Sequence, residues 1–95
     1  MPKEKRDVES GLLKKGFQLQ EGDHHFYIYH YLDGRKSAIK TKTSHSLKKR
    51  TIDDHLLSHM ARQCHLVRGK FIELVDCPLS QQDYEAELKK KGILR

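Results

Sequence analysis

Two adjacent imidazoles, His24 and His25, follow a Gly22-Asp23 turn and open the run Phe26-Tyr27-Ile28-Tyr29-His30-Tyr31. Histidine changes charge near neutral pH, so a ring at the mouth of a surface can take or give a proton there. The chemistry this suits is RNA transesterification. A neutral imidazole takes the 2′-OH proton, the freed oxygen attacks the adjacent phosphorus, and an imidazolium protonates the departing oxygen or pairs with the phosphate. No metal is required, and a cyclic phosphate is the product that reports the step. A histidine that only caps a turn is the plainer reading of His24. His45 lies in a polar loop near Lys42, Lys48 and Lys49. It is a candidate for the second proton transfer or a phosphate contact, and a loop histidine in solvent is the plainer alternative.

The residues after the histidines alternate as a strand does. Phe26 and Ile28 share one face, expected to meet the core; Tyr27, Tyr29 and Tyr31 share the other, expected to stay open. Seven basic residues and no acid lie between Arg35 and Arg50: Arg35, Lys36, Lys40, Lys42, Lys48, Lys49 and Arg50. Lys40 and Lys42 fall on the expected neighbouring strand. If the register joins the faces, rings and ammonium groups interleave, with bases stacking on tyrosines and lysines following phosphates. Tyrosine is also enriched at protein interfaces. RNA and a protein partner therefore suit this face about equally, and one surface can serve both in turn.

The chain has 95 residues, a formal charge of +6 and 34% charged side chains. This length predicts one domain with a modest core. No apolar run is long enough to span a bilayer, and the charged N-terminus is not followed by the apolar stretch of a secretory signal. Cys64 and Cys77 lack metal-site spacing and read as reduced thiols, which places the chain in the cytoplasm. His55 and His59 stand four apart without a third ligand, so a solvent-facing pair is expected rather than a metal site. No cofactor is implied.

The elements that must position these residues are legible in outline. Val8, Leu12 and Leu13 recur at helical spacing from about Asp7 to Lys15, and Gly16 suits a left-handed helix stop. A short strand is expected over 17–21, a longer one over 25–32, a hairpin at Asp33-Gly34 and a returning strand over 35–43. Thr51 and Asp54 suggest a capping box opening a helix with the stripe Ile52, Leu56, Met60 and Cys64. Gly69 is read as a break, followed by a short helix over 71–75. Ser80 and Asp83 predict the cap of a last helix, which Gly92 ends. The resulting fold class is α+β, with a three-stranded antiparallel sheet, helices on one face and the other face open.

In order and spacing, residues 7–66 resemble the HicA-type toxins, small ribonucleases with a double-stranded-RNA-binding-domain-like α-β-β-β-α fold. Val8, Leu12, Gly16 and Phe17 match the opening helix and its Gly-Phe stop. Gly22-Asp23-His24-His25-Phe26 falls where the family has Gly-Ser-His before a strand, and His45-Ser46, Thr51-Ile52 and the helix to Leu66 match the closing segment. The resemblance implies a single domain over 1–95, with a family-like core at 6–67 and a C-terminal helical extension at 68–95. It implies an mRNA-cleaving ribonuclease held in check by a HicB-type antitoxin protein, with His24 catalytic; the residues themselves add metal independence and His25 and His45 as secondary candidates. RNA contacts then fall to Tyr27, Tyr29, Tyr31, Lys40, Lys42, Lys48, Lys49 and Arg50. Asp23 stands where Ser or Thr is usual, and the segment from Phe71 is additional. A non-catalytic nucleic-acid-binding module and a protein-interaction domain remain the alternatives.

Overall fold

The computed structural model describes residues 3–22, 25–43, 50–76 and 78–95. Its elements are β1 (Lys3–Glu4), α1 (Lys5–Lys14), β2 (Phe17–Glu21), β3 (His25–His30), β4 (Lys36–Thr43), β5 (Thr51–Ile52), α2 (Asp54–Gln63), α3 (Arg68–Asp76) and α4 (Gln81–Lys90). The architecture is α+β. An antiparallel sheet runs in the order β2-β3-β4, and a two-stranded ribbon joins β1 to β5. No helix among the described residues is long and apolar enough to cross a membrane.

Helix ends are set by local chemistry. Gly16, at φ 92°, carries the chain from α1 into β2, where the left-handed region costs glycine little. The N-cap of α2 is Asp53, whose carboxylate accepts from Leu56 N–H at 2.8 Å. Thr51, expected in that role, pairs with Glu4 in the ribbon instead. Residues 3 and 4 are thereby tied to β5, which leads into α2. At its other end α2 closes on His65 in the left-handed region (φ 62°). His65 N–H bonds to Arg62 O, and Leu66 N–H reaches back to Ala61 O. That pattern satisfies the terminal carbonyls and turns the chain into α3. Gly69 is therefore not the break; it lies in the first turn of α3. Ser80 caps α4 as its spacing predicts, accepting from Asp83 N–H at 3.1 Å.

The core joins one sheet face to all four helices. Val8 and Leu12 of α1, Leu57 and Met60 of α2, Phe71 and Leu74 of α3, and Tyr84 and Leu88 of α4 are fully buried. Helix α1 can approach α3 closely because position 11 is glycine; a Cβ there meets the Val75 carbonyl oxygen and Cα. Lys15 is buried at the end of α1, where its ammonium donates to Leu74 O at 2.7 Å and Leu79 O at 2.5 Å. It fastens the α3–α4 connection to α1 by capping orphan carbonyls.

The central strand reverses the expected faces. Tyr27 and Tyr29 are 2% and 0% exposed and belong to the core cluster, so their rings offer no open stacking face. Each polar tip has a partner that sequence periodicity cannot show. Tyr29 OH donates to Glu85 at 2.8 Å, across from β3 to α4. Tyr27 reaches Glu9 of α1 and Thr43 of β4. Burial pushes both phenols well above their ordinary value, with the nearby carboxylates adding to the effect. Tyr29 also packs edge-on to Phe17 and Tyr84, at centroid distances of 5.3 and 5.2 Å. Pairs of this geometry add to simple area burial. The helix-facing side is thus aromatic and hydrogen-bonded, and Phe26 and Ile28 lie on the other side.

Candidate nucleic-acid interface and proton-transfer site

The register defines the open face residue by residue. Gln18 pairs with Ile28 and Ile28 with Lys40; Gln20 pairs with Phe26 and Phe26 with Lys42; His30 pairs with Lys36. Directly paired residues share a face. Gln18, Gln20, Lys36, Lys40 and Lys42 are exposed, and Phe26 is half-buried. Strand β4 alternates strictly, with Ile39, Thr41 and Thr43 turned to the core. Lys40 Nζ lies 5.6 Å from the centroid of the Phe26 ring, within range of a cation–π contact. The interleaving of tyrosines and lysines expected from the sequence is not formed, because Tyr27 and Tyr29 face the core; the ring beside Lys40 is Phe26.

Tyr31 departs differently. Strand β3 ends at His30, and Tyr31 sits half-buried in the hairpin, its N–H donating to Arg35 O and its carbonyl accepting from Gly34 N–H, both at 2.8 Å. The Arg35 guanidinium lies 4.4 Å and Lys89 Nζ 5.7 Å from the centroid of its ring. Its hydroxyl accepts from Arg95 N–H at 3.3 Å. It belongs to a contact between the hairpin and the C-terminal end, away from the Lys40–Lys42 row.

At the start of β3, His25 lies at the rim of the helix-facing side. Its Nδ1 is 3.6 Å from Glu9 Oε2, and its Nε2 is 3.9 Å from Glu21 Oε1. The same Glu9 oxygen accepts from Thr43 Oγ1 at 2.6 Å. One carboxylate of α1 thus draws together β3 and β4 beside the strand start. The imidazole side chain is 24% exposed, so solvent and small groups reach it. Carboxylates thus lie near both ring nitrogens, Glu9 beside Nδ1 and the exposed Glu21 beside Nε2. Glu9 and Thr43 were not legible as site residues. Their only signal is the chance that a polar residue beside an apolar helix stripe finds a partner across the fold.

The other sequence candidates divide clearly. His24, His45, Lys48 and Lys49 lie outside the described residues. Arg50 is exposed, and its carbonyl accepts from Lys5 N–H at 2.7 Å, which holds the ribbon to α1. His55 and His59 are exposed on α2, and among the described residues no group of three metal-ligating side chains converges. Cys64 is a free, fully buried thiol whose burial pushes its pKa far up, which makes it inert in the folded state. Tyr84 OH donates to the Cys64 carbonyl at 2.9 Å, another buried tip satisfied across the fold.

No family model, curated protein or solved structure matches the chain.

Proposed function

We propose that the protein binds single-stranded RNA on the open sheet face and cleaves it without a metal, using the strand-start histidines for proton transfer. One observation carries this reading: an exposed sheet face bears Phe26 flanked by Lys40 and Lys42, and the strand that carries Phe26 opens with a histidine–carboxylate pair at the rim of the opposite, helix-facing side. Rings stack on unpaired bases and ammonium groups neutralise phosphates. The HicA-type resemblance supports the same activity and names His24 as the principal imidazole, in a double-stranded-RNA-binding-domain-like frame. His25 supplies the neighbouring ring, backed by Glu9.

The chemistry balances with these groups. An imidazole nitrogen takes the 2′-OH proton, the O2′–P bond forms, and the P–O5′ bond breaks. The 5′ oxygen takes a proton from water, and the hydroxide left behind takes the imidazolium proton and restores the neutral ring. The products are a 2′,3′-cyclic phosphate and a 5′-hydroxyl.

Incubation with single-stranded RNA in excess chelator, followed by end analysis, tests the proposal. Cyclic-phosphate ends that disappear in a His24→Ala, His25→Ala double variant are expected. Intact RNA with the parent protein, or equal cutting by the double variant, refutes cleavage. Salt-sensitive retention of uncut RNA then leaves the binding-module reading, and no retention at low salt leaves the protein-interaction reading.

A further inference from the structure

The open face is ordered across its strands as well as charged. Each of two adjacent rows runs cation, apolar platform, carboxamide: Lys42–Phe26–Gln20 and Lys40–Ile28–Gln18. All four outer residues are exposed; between them Phe26 is half-buried and Ile28 is 8% exposed. Each row crosses two inter-strand spacings of about 4.8 Å, so its ends lie roughly 10 Å apart. That is the reach of one extended nucleotide from its phosphate across a purine to the base edge. A pyrimidine, one ring shorter, lies over the platform without reaching the carboxamide. Neighbouring rows are two residues apart along the strands, or about 6.6 Å, a spacing suited to consecutive nucleotides of an unstacked strand.

We infer that Gln18 and Gln20 are specificity-determining residues that read the base edges of two consecutive adenines in single-stranded RNA. The inference rests on the RNA-binding reading above and deepens it. In each row the lysine takes the phosphate and the carboxamide meets the far base edge; Phe26 is the ring a base can stack on, and the buried Ile28 only floors the second row. A carboxamide presents an acceptor beside a donor. Adenine offers the complementary pair at N6–H and N7, whereas guanine offers two acceptors there, which a carboxamide cannot match. The glutamines are the only outer residues of the two rows that can supply such a match, because an ammonium group donates but does not accept. A duplex is excluded from this mode, since its bases are stacked on each other and cannot lie on the sheet.

Binding of 2′-O-methyl oligonucleotides of adenine, cytosine or uracil, followed by fluorescence anisotropy across a salt series, tests the assignment. The parent protein is expected to bind the adenine oligomer about tenfold more tightly than either pyrimidine oligomer. In Gln18→Ala, Gln20→Ala the preference falls to within about twofold while the salt slope stays unchanged. Gln18→Glu, Gln20→Glu, which keeps the shape but loses the donor, also loses the preference. Lys40→Ala, Lys42→Ala lowers affinity and slope but keeps it. Equal binding of the three oligomers by the parent, or a preference that survives both glutamine variants, overturns the base-reading role and leaves RNA binding intact. Failure of every oligomer to bind at low salt overturns both.

Discussion

Glu85 is the carboxylate on which the C-terminal helix depends, and removing it has a calculable cost. Its Oε1 accepts from Tyr29 OH and from Leu32 N–H, each at 2.8 Å, and its Oε2 faces Lys89 Nζ at 3.2 Å. The Glu85 side chain is 6% exposed and that of Lys89 44%. A hydrogen bond to a charged group contributes about 1.5–3 kcal/mol. The half-exposed lysine pair adds less than about 1 kcal/mol. Glu85→Ala strands the Tyr29 hydroxyl proton in the core, while the part-buried Leu32 N–H can still find water, so the low end of the range applies to that bond. We expect a loss of about 3 kcal/mol, a large fraction of the roughly 5–14 kcal/mol a chain of this size possesses. At about 4–8 °C per kcal/mol, the midpoint falls by roughly 12–24 °C. Glu85→Gln, which keeps an acceptor, costs about 1 kcal/mol. In a double-mutant cycle with Tyr29→Phe, the two losses are coupled by about 1–2 kcal/mol. The pH dependence follows. Desolvation raises the carboxyl pKa, but the bonds from Leu32, Tyr29 and Lys89 outweigh it and hold the group below its ordinary 4.5. A depressed folded value means the contribution is complete above pH 4.5 and is lost as pH falls through the folded value. Urea unfolding monitored by circular dichroism at neutral pH and below pH 4 measures all of this. A Glu85→Ala protein within 0.5 kcal/mol of the parent (about the spread of an inert surface change), or a Glu85→Gln protein with the parent's acid sensitivity, refutes the reasoning.

Other consequences are separable from that one. Gly11→Ala forces α1 from the Val75 backbone and is expected to cost at least about 1–3 kcal/mol in urea unfolding, against a small gain at an exposed helix position. His65→Gly relieves a left-handed non-glycine residue at the end of α2 and should raise stability by about 0.5–1 kcal/mol in the same assay. Phe26→Ala should weaken single-stranded RNA binding by about 1–3 kcal/mol with little change in melting temperature, while Tyr29→Phe should do the reverse. Lys40→Ala, Lys42→Ala should reduce the slope of log affinity against log salt by about 1.4, roughly 0.7 for each phosphate deprived of its lysine.

Much of the frame is written in local patterns. The glycine at 16, the Asp33-Gly34 turn and the Ser80 cap stand where turn and cap chemistry put them. Strand β4 was readable because its core side is apolar or hydroxyl-bearing and its outer side carries lysines. The central strand was not. Alternation separates its two faces correctly but does not say which is inward, and Phe-Ile against Tyr-Tyr-Tyr suggests the less polar set. The decision is made elsewhere in the chain. Glu9 and Glu85 supply acceptors for the phenol tips, and Phe17 and Tyr84 supply edge contacts for the Tyr29 ring. A buried phenol with its hydroxyl satisfied keeps the large apolar benefit of its ring. The shift of the α2 cap from Thr51 to Asp53 has a similar cause, since pairing with Glu4 takes Thr51 into the ribbon. At the candidate site, the lysines were legible as charge and the histidines as chemistry. The Glu9 contact was not, because it joins residues that only the packing of α1 beside β3 and β4 brings together.

The most direct test of the RNA-binding surface is an amide NMR footprint with a short, uncleavable 2′-O-methyl RNA at low salt. Shifts concentrated on Gln18, Gln20, Phe26, Ile28, Lys40 and Lys42 and extending to His25 are expected, with α3 and α4 silent. A footprint confined to the helical side, or spectra that do not change on addition of RNA, contradicts this assignment.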